Sequence, residues 1–155
     1  MTRQESYRIV IEAEIRSRML YEALAKSFAN DETDSVFHEL IIYEKAHEDK
    51  VRAAFAVEFP DEELKLMSTF KLEMPGVNLS DPKEVLEFAI SREELANSIY
   101  LSMAAETKDE GIKAMMLQFA EEETKHKTLL LAEIQRLQGA FQWYDPSELN
   151  GMMED

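Results

Sequence analysis

The stretch Glu44-Lys45-Ala46-His47 places a carboxylate and an imidazole three residues apart, and Glu123-Thr124-Lys125-His126 repeats that spacing in the second half of the chain. Side chains three residues apart project from one face of a helix, so each stretch directs its two polar groups toward one region. A single Glu-x-x-His motif is common in charged helices and does not by itself indicate a ligand pair. Its recurrence, together with further residues at the same offset, points to a duplicated structural unit.

A glutamate and a tyrosine of the first half also recur in the second half, at the same sequence offset that separates Glu44 from Glu123. Glu14 precedes Tyr21 by seven positions, and Glu93 precedes Tyr100 by the same spacing. The interval from Glu14 to Glu44 also equals the interval from Glu93 to Glu123. Apolar positions repeat as well: Ile11 with Ile90, Leu40 with Phe119, and Val51 with Leu130. The chain is therefore predicted to contain two copies of one helix pair.

Four segments carry the 3.6-residue apolar spacing that is typical of amphipathic helices. They run from about Arg3 to Phe28, Asp34 to Val57, Pro82 to Ala104 and Glu110 to Gln138. Pro60 is expected to limit the second segment. Asp81 and Pro82 suit the N-cap and first position of the third. Gly139 is predicted to end the fourth.

The connections predict how the helices are arranged. Short polar loops join the helices within each pair, which favours antiparallel neighbours. The connection Glu58–Ser80 is long enough to cross the bundle, and a short helix is expected at Asp61–Met67. The predicted fold is all-α: a ferritin-like four-helix bundle of two helix pairs joined by a long crossover connection. Residues 1–138 are expected to form the bundle, and 139–155 a tail packed partly by its aromatic side chains.

Composition excludes several classes of function. The 155 residues carry a formal net charge of −15 at pH 7, which disfavours binding to nucleic acid or to an anionic membrane. The chain has no cysteine, so it cannot form disulfides, thiolate zinc sites or iron–sulfur sites. No apolar run reaches the ~20 residues that span a bilayer, and the first residues lack the apolar core of a signal peptide. We therefore expect a soluble protein of the cytoplasm.

The repeated glutamates occupy positions where the apolar stripe favours a hydrophobic residue. Burying a bare carboxylate is costly, and four close together cost more, unless cations compensate their charge. Two divalent cations would neutralise four such charges. The resulting set is typical of a dinuclear metal site inside a helical bundle: Glu14, Glu44, His47, Glu93, Glu123 and His126. Mixed carboxylate and imidazole ligands suit iron, manganese or zinc.

Other polar side chains near these positions are weaker candidates. Tyr21 and Tyr100 are either core aromatics or hydrogen-bond donors to a ligating carboxylate. His38 is expected to pack or to lie at the surface. Three acidic neighbours are expected to point elsewhere, because each step along a helix turns the side chain by about 100°: Glu94, Glu121 and Glu122.

The residues described so far resemble the ferritin-like superfamily and, within it, the rubrerythrin family. The resemblance covers residues 5–137 and depends on the Glu–Tyr spacings and the two Glu-x-x-His motifs. It implies a centre of two iron ions, with manganese or zinc as alternatives. It also implies the following roles: Glu14 and Glu93 as terminal ligands, Glu44 and Glu123 as bridging ligands, and His47 and His126 as one nitrogen ligand for each ion.

Two features depart from the family pattern. Typical rubrerythrins carry a C-terminal rubredoxin-like domain whose four cysteines deliver electrons, whereas this chain has none. Electrons would therefore come from a separate donor protein. Typical rubrerythrins also carry a further carboxylate on the third helix, three residues after the glutamate that corresponds to Glu93. This chain has Ala96 at that position. The centre is expected to be more symmetric, closer to a bacterioferritin-like site.

The resemblance implies an oxidoreductase, and three hypotheses follow. The first is a peroxidase that reduces hydrogen peroxide with electrons from an external donor protein. The second is a ferroxidase that uses dioxygen to oxidise iron for storage or detoxification. The third is a bundle that binds metal without catalysis. The resemblance also suggests a homodimer.

Overall fold

The computed structural model describes residues 1–27, 31–71, 74–78 and 80–143. Their side chains are described too, except those of residues 27, 31–35 and 139–143. Its regular structure consists of four helices: α1 (Arg3–Ser27), α2 (Asp31–Glu58), α3 (Pro82–Glu106) and α4 (Glu110–Trp143). The described residues contain no strand. The predicted all-α fold is confirmed, while Phe28, the expected end of the first helix, lies outside the described residues.

Two apolar clusters lie at opposite ends of the bundle and define how the helices run. The first cluster joins the start of α1, the end of α2, the end of α3 and the start of α4, through residues such as Tyr7, Phe55, Met103 and Ile112. The second joins the opposite ends of the same helices, through Leu24, Phe37, Leu86 and Ile134. The helices of each pair are therefore antiparallel, and α2 and α3 run in the same direction.

The connection between α2 and α3 crosses the length of the bundle, because α2 ends at the first cluster and α3 begins at the second. This confirms the predicted crossover. The short helix expected at Asp61–Met67 is wrong, since these residues have no helical structure. Leu64 and Leu66 are partly buried whereas Lys65 between them is exposed, the alternation of an extended chain.

Contacts with α1 explain the extended conformation of the crossover. Nε2 of Gln4 donates to Oε1 of Glu62 at 3.2 Å, and further along the same helix Oε2 of Glu12 accepts from the backbone N of Met67 at 3.0 Å. Leu64 packs against the first apolar cluster between these two points. A helix would turn alternate residues to different faces and lose this packing, so tertiary contacts outweigh the local preference.

The helix ends follow local chemistry, with one exception. Asp81 caps α3 by accepting from the backbone N of Lys83 at 3.0 Å, with Pro82 in the first turn, as predicted. The prediction that α4 ends at Gly139 is wrong, because the helix continues to Trp143. A glycine inside a helix costs only about 1 kcal/mol relative to alanine, and no proline follows before Pro146. Residues 144–155 of the expected tail lie outside the described residues.

Among the described residues, none of the helices combines the length and the apolar character needed to cross a membrane.

Candidate metal centre

Each of the four helices contributes one glutamate to a polar layer between the two apolar clusters. The four are almost completely buried: Glu14 on α1, Glu44 on α2, Glu93 on α3 and Glu123 on α4. His47 and His126 are buried in the same layer. The structure thus brings together all six residues that the sequence repeat singles out, although they come from all four helices and from both halves of the chain.

The first half of the layer centres on His47. Its Nδ1 atom lies 2.8 Å from Oε1 of Glu123 and 3.2 Å from Oε1 of Glu14. Together with Glu44, these side chains offer four ligand atoms that all lie within 4.8 Å of one another. This spacing is compatible with one metal ion at the centre of the group.

The second half centres on His126 and mirrors the first. Its Nδ1 atom lies 2.9 Å from Oε1 of Glu44, 3.6 Å from Oε2 of Glu93 and 3.8 Å from Oε2 of Glu123. The four ligand atoms of this group also lie within 4.8 Å of one another. Glu44 and Glu123 belong to both groups, so their carboxylates lie between the two candidate metal positions.

The chemistry of the layer fits cations better than it fits a closed polar network. Seven buried side-chain atoms of the layer have no hydrogen-bond partner among the described residues. They are Oε2 of Glu14, both oxygens of Glu44, both ring nitrogens of His47, Oε1 of Glu123 and Nδ1 of His126. Unpaired buried polar atoms are expensive and rare in folded proteins. Two cations would provide partners for the oxygens and for both Nδ1 atoms.

Three other buried glutamates of the bundle have their negative charge neutralised by arginine side chains. Glu12 accepts from Arg8 at 3.0 Å, and Glu48 accepts from Arg18 at 2.7 Å and from Arg52 at 2.8 Å. Glu133 pairs with Arg136. No lysine or arginine contacts the four layer glutamates within the described part of the chain. The sequence repeat separates these three glutamates from those of the layer, because none of them corresponds to a glutamate in the other half of the chain.

Without metal, the four carboxyls would be forced to share protons. Burial and the charges of Glu14 and Glu93 raise the pKa of Glu44 and of Glu123 well above the ordinary value. Burial also acts to raise the pKa of Glu14, but the neighbouring carboxyls of Glu44 and Glu123, together with His47, lower it overall. The shared carboxyls therefore hold protons that a metal ion would displace.

The two repeated tyrosines reach across the bundle to the unshared glutamates. The hydroxyl of Tyr100 on α3 donates to Oε1 of Glu14 on α1 at 3.1 Å. Tyr21 on α1 donates in the same way to Glu93 on α3. Burial and the nearby carboxylates raise the pKa of both tyrosines well above the ordinary value, so each hydroxyl keeps its proton and remains a donor. Of the two interpretations the sequence left open, the structure therefore favours donation to a carboxylate of the layer.

The outer edges of the two histidines face an open groove of about 550 Å³ between α2 and α4. Glu122 belongs to neither ligand group, as expected, but its Oε2 lies 3.4 Å from the outward-facing Nε2 of His47, a contact that the sequence did not predict. The repeat relates Glu122 to Tyr43, whose ring stacks on His126 with centroids 5.9 Å apart. This departure from the repeat is the signal that could have identified both residues. His38 is exposed and belongs to neither ligand group.

The chain resembles known proteins in its second half and in its fold. Residues 84–150 match the sequence model of a family described as rubrerythrin. No curated protein sequence matches the chain. Among solved structures, a hypothetical protein from Pyrococcus furiosus has a TM-score of 0.77 at 25% identity, covering 90% of this chain and 92% of its own. An uncharacterized conserved protein from Magnetospirillum magnetotacticum MS-1 has a TM-score of 0.65 at 25% identity, covering 88% of this chain and 95% of its own.

The matched region contains α4 and all of α3 except its first two residues, and thus Glu93, Glu123 and His126. The internal repeat provides the equivalent residues in α1 and α2, so the two halves complete one layer. The chain therefore has a ferritin-like four-helix fold, and rubrerythrin is the family that its residues 84–150 match.

Proposed function

We propose that the chain is a di-iron carboxylate redox protein that reduces hydrogen peroxide with electrons from a separate donor protein. The observation that carries the proposal is the pair of ligand groups sharing Glu44 and Glu123, with buried atoms that lack any partner among the described residues. The rubrerythrin match of residues 84–150 supports iron as the metal. Manganese and zinc suit the same ligand types and are the alternatives.

The six side chains have distinct proposed roles. Glu44 and Glu123 would bridge the two ions, since each belongs to both groups. Glu14 with His47 would complete one ion's ligands, and Glu93 with His126 the other's. The hydroxyl groups of Tyr21 and Tyr100 would hold Glu93 and Glu14 in place, because an oriented carboxylate binds metal better than a rotating one.

Two ferrous ions bound here would supply one electron each, which together with two protons convert one hydrogen peroxide molecule into two water molecules. The surrounding chain would control access to this chemistry. The apolar clusters at both ends of the layer exclude bulk water, whereas the groove between α2 and α4 reaches the histidines from solvent. A small neutral oxidant could enter there. The donor protein would then return two electrons.

Rapid mixing of anaerobic, ferrous-loaded protein with each oxidant tests the proposal. We expect hydrogen peroxide to oxidise the iron faster than dioxygen does, with one peroxide consumed per two irons. A double Glu44→Gln, Glu123→Gln variant serves as the control for iron bound elsewhere and should lose the fast phase. Clearly faster oxidation by dioxygen would rule out the peroxidase assignment.

One observation favours a ferroxidase as the second candidate. Ala96, three residues after Glu93, is buried in the first apolar cluster and supplies no additional carboxylate, which leaves the ligand set symmetric. A ferroxidase predicts turnover beyond two irons per chain and assembly into a large hollow oligomer. Iron loading that stops near two per chain, together with sedimentation as a dimer, would exclude it.

A further inference from the structure

The two histidines of the layer differ on the side that faces away from the ligand groups. Both use Nδ1 to face the carboxylates, so Nε2 of each ring points outward. At His47, Nε2 is buried without a hydrogen-bond partner among the described residues, and Oε2 of Glu122 lies 3.4 Å from it. The other oxygen of Glu122 lies 3.5 Å from Nζ of Lys50.

His126 has a different neighbour at the equivalent position. The ring of Tyr43 stacks on it at an interplanar angle of 11°, and the hydroxyl of Tyr43 donates to Oε1 of Glu39 at 2.9 Å rather than to the histidine. Within the described residues, no carboxylate contacts Nε2 of His126. The repeat keeps the candidate ligands the same in both halves but changes at the position that contacts each imidazole from outside the ligand groups. That position meets the outer nitrogen of His47 and the ring face of His126.

This difference has a chemical consequence for a metal-bound imidazole. A histidine that binds a metal through Nδ1 carries its proton on Nε2 and needs an acceptor there. A carboxylate acceptor orients the ring and makes the ligating nitrogen more basic, and loss of such an acceptor typically lowers metal affinity by about 10–100-fold. Its negative charge also attracts the cation directly. Aromatic stacking positions a ring but supplies neither an acceptor nor a charge.

We propose that Glu122 is a positioning residue for His47 and makes the metal position of Glu14 and His47 the tighter of the two. The centre then fills in order, first at this position and then at the position of Glu93 and His126. The inference depends on the proposed two-metal centre and goes beyond it, since two positions with the same ligand types alone predict two similar affinities.

Titration of the metal-free protein with Co²⁺ tests the order of filling, followed by calorimetry and by the visible absorption of bound cobalt. We expect two resolved binding steps in the parent protein. In Glu122→Ala, the affinity of the first step should fall by about 10–100-fold while the second is unchanged. Glu121→Ala is the matched control, because it removes the same charge from an exposed neighbouring position and should change neither step more than about twofold.

A crystal prepared with one equivalent of Co²⁺ per chain locates the first ion independently of affinity. Anomalous density should be strongest beside Nδ1 of His47. Equal density at both positions, or an equal effect of Glu122→Ala and Glu121→Ala, would overturn the proposed order while leaving the two-metal centre intact. Absence of any Co²⁺ binding would overturn both.

Discussion

The hydroxyl of Tyr21 lies 2.5 Å from Oε1 of Glu93, although 72 residues separate the two in the chain. Tyr100 and Glu14 form the reciprocal contact at 3.1 Å. Each helix pair therefore orients the unshared glutamate of the other pair. Neither pair contains a complete ligand group by itself, so the candidate metal centre exists only when the two helix pairs pack together.

These crossed hydrogen bonds are expected to stabilise the metal-free bundle. In Tyr21→Phe, the carboxylate of Glu93 loses a buried donor, and the free energy of unfolding should fall by about 1–3 kcal/mol. Urea denaturation of the metal-free protein measures the change. Tyr43→Phe is the control, because the hydroxyl of Tyr43 binds Glu39 in an exposed i,i+4 contact. It should cost about 0.5 kcal/mol or less, and an equal cost for both variants would contradict the prediction.

The sharing of ligands predicts how single substitutions divide between the two metal positions. Glu14→Gln should weaken only the position beside His47, whereas Glu44→Gln should weaken both, because Glu44 belongs to both groups and Glu14 to one. Co²⁺ titration with anomalous diffraction at full loading checks this. Glu94→Gln, which alters an exposed glutamate paired with Lys127, should leave both positions filled. Selective loss of one ion in Glu44→Gln would show that this carboxylate does not bridge.

The stability of the metal-free protein is expected to decrease as pH rises, because several of its buried groups hold protons. The pKa of Glu44 and of Glu123 is raised by burial and by the neighbouring carboxylates. The pKa of His47 is also raised, because contact with Glu14 outweighs the effect of burial. The unfolded chain releases the carboxyl protons above a pKa of 4.5 and the imidazole proton above a pKa of 6.5, whereas the folded metal-free protein retains them to higher pH. Its stability should fall as pH rises from about 5 to 8, at up to about 1.4 kcal/mol per pH unit for each group.

Bound metal should remove this loss, because ligating carboxylates carry no proton. The difference in thermal unfolding temperature between metal-loaded and metal-free protein is thus expected to widen from about pH 5 to about pH 8. Calorimetry in buffers of different ionisation enthalpy should also detect proton release on Co²⁺ binding. A metal-free protein whose stability rises over this range would contradict the assignment of raised pKa values to the shared carboxyls.

The arginine-paired glutamates predict a stability effect that is independent of metal. In Arg18→Met, the buried carboxylate of Glu48 loses its 2.7 Å ion pair with Arg18 of α1 but retains the ion pair with Arg52. The free energy of unfolding should fall by about 1–3 kcal/mol, less than for complete loss of a buried partner. Lys45→Met is the control, since Lys45 is exposed and 3.9 Å from the same carboxylate. It should cost about 0.5 kcal/mol or less, with metal stoichiometry unchanged in both variants.

Most of the candidate centre could be predicted because it depends on spacing along helices. Glu44 and His47 share a face whatever the tertiary structure, and the repeat extends the same argument to Glu123 and His126. One failed prediction and one contact that the sequence did not predict concern sites where distant segments meet. The crossover at Asp61–Met67 stays extended because Leu64 and Leu66 pack against the first apolar cluster and α1 accepts from its backbone at Met67. The unpredicted contact joins Glu122 on α4 to His47 on α2.

The sequence by itself determined the four amphipathic helices, their pairing through short loops and the six candidate ligands, because helical periodicity and a constant repeat offset are local and countable properties. Only the tertiary structure decided that Tyr21 reaches Glu93 and that Glu122 lies beside His47. Both contacts depend on the relative rotation of helices that meet after folding. That rotation is set by the packing of the two apolar clusters, which a single sequence pattern does not specify.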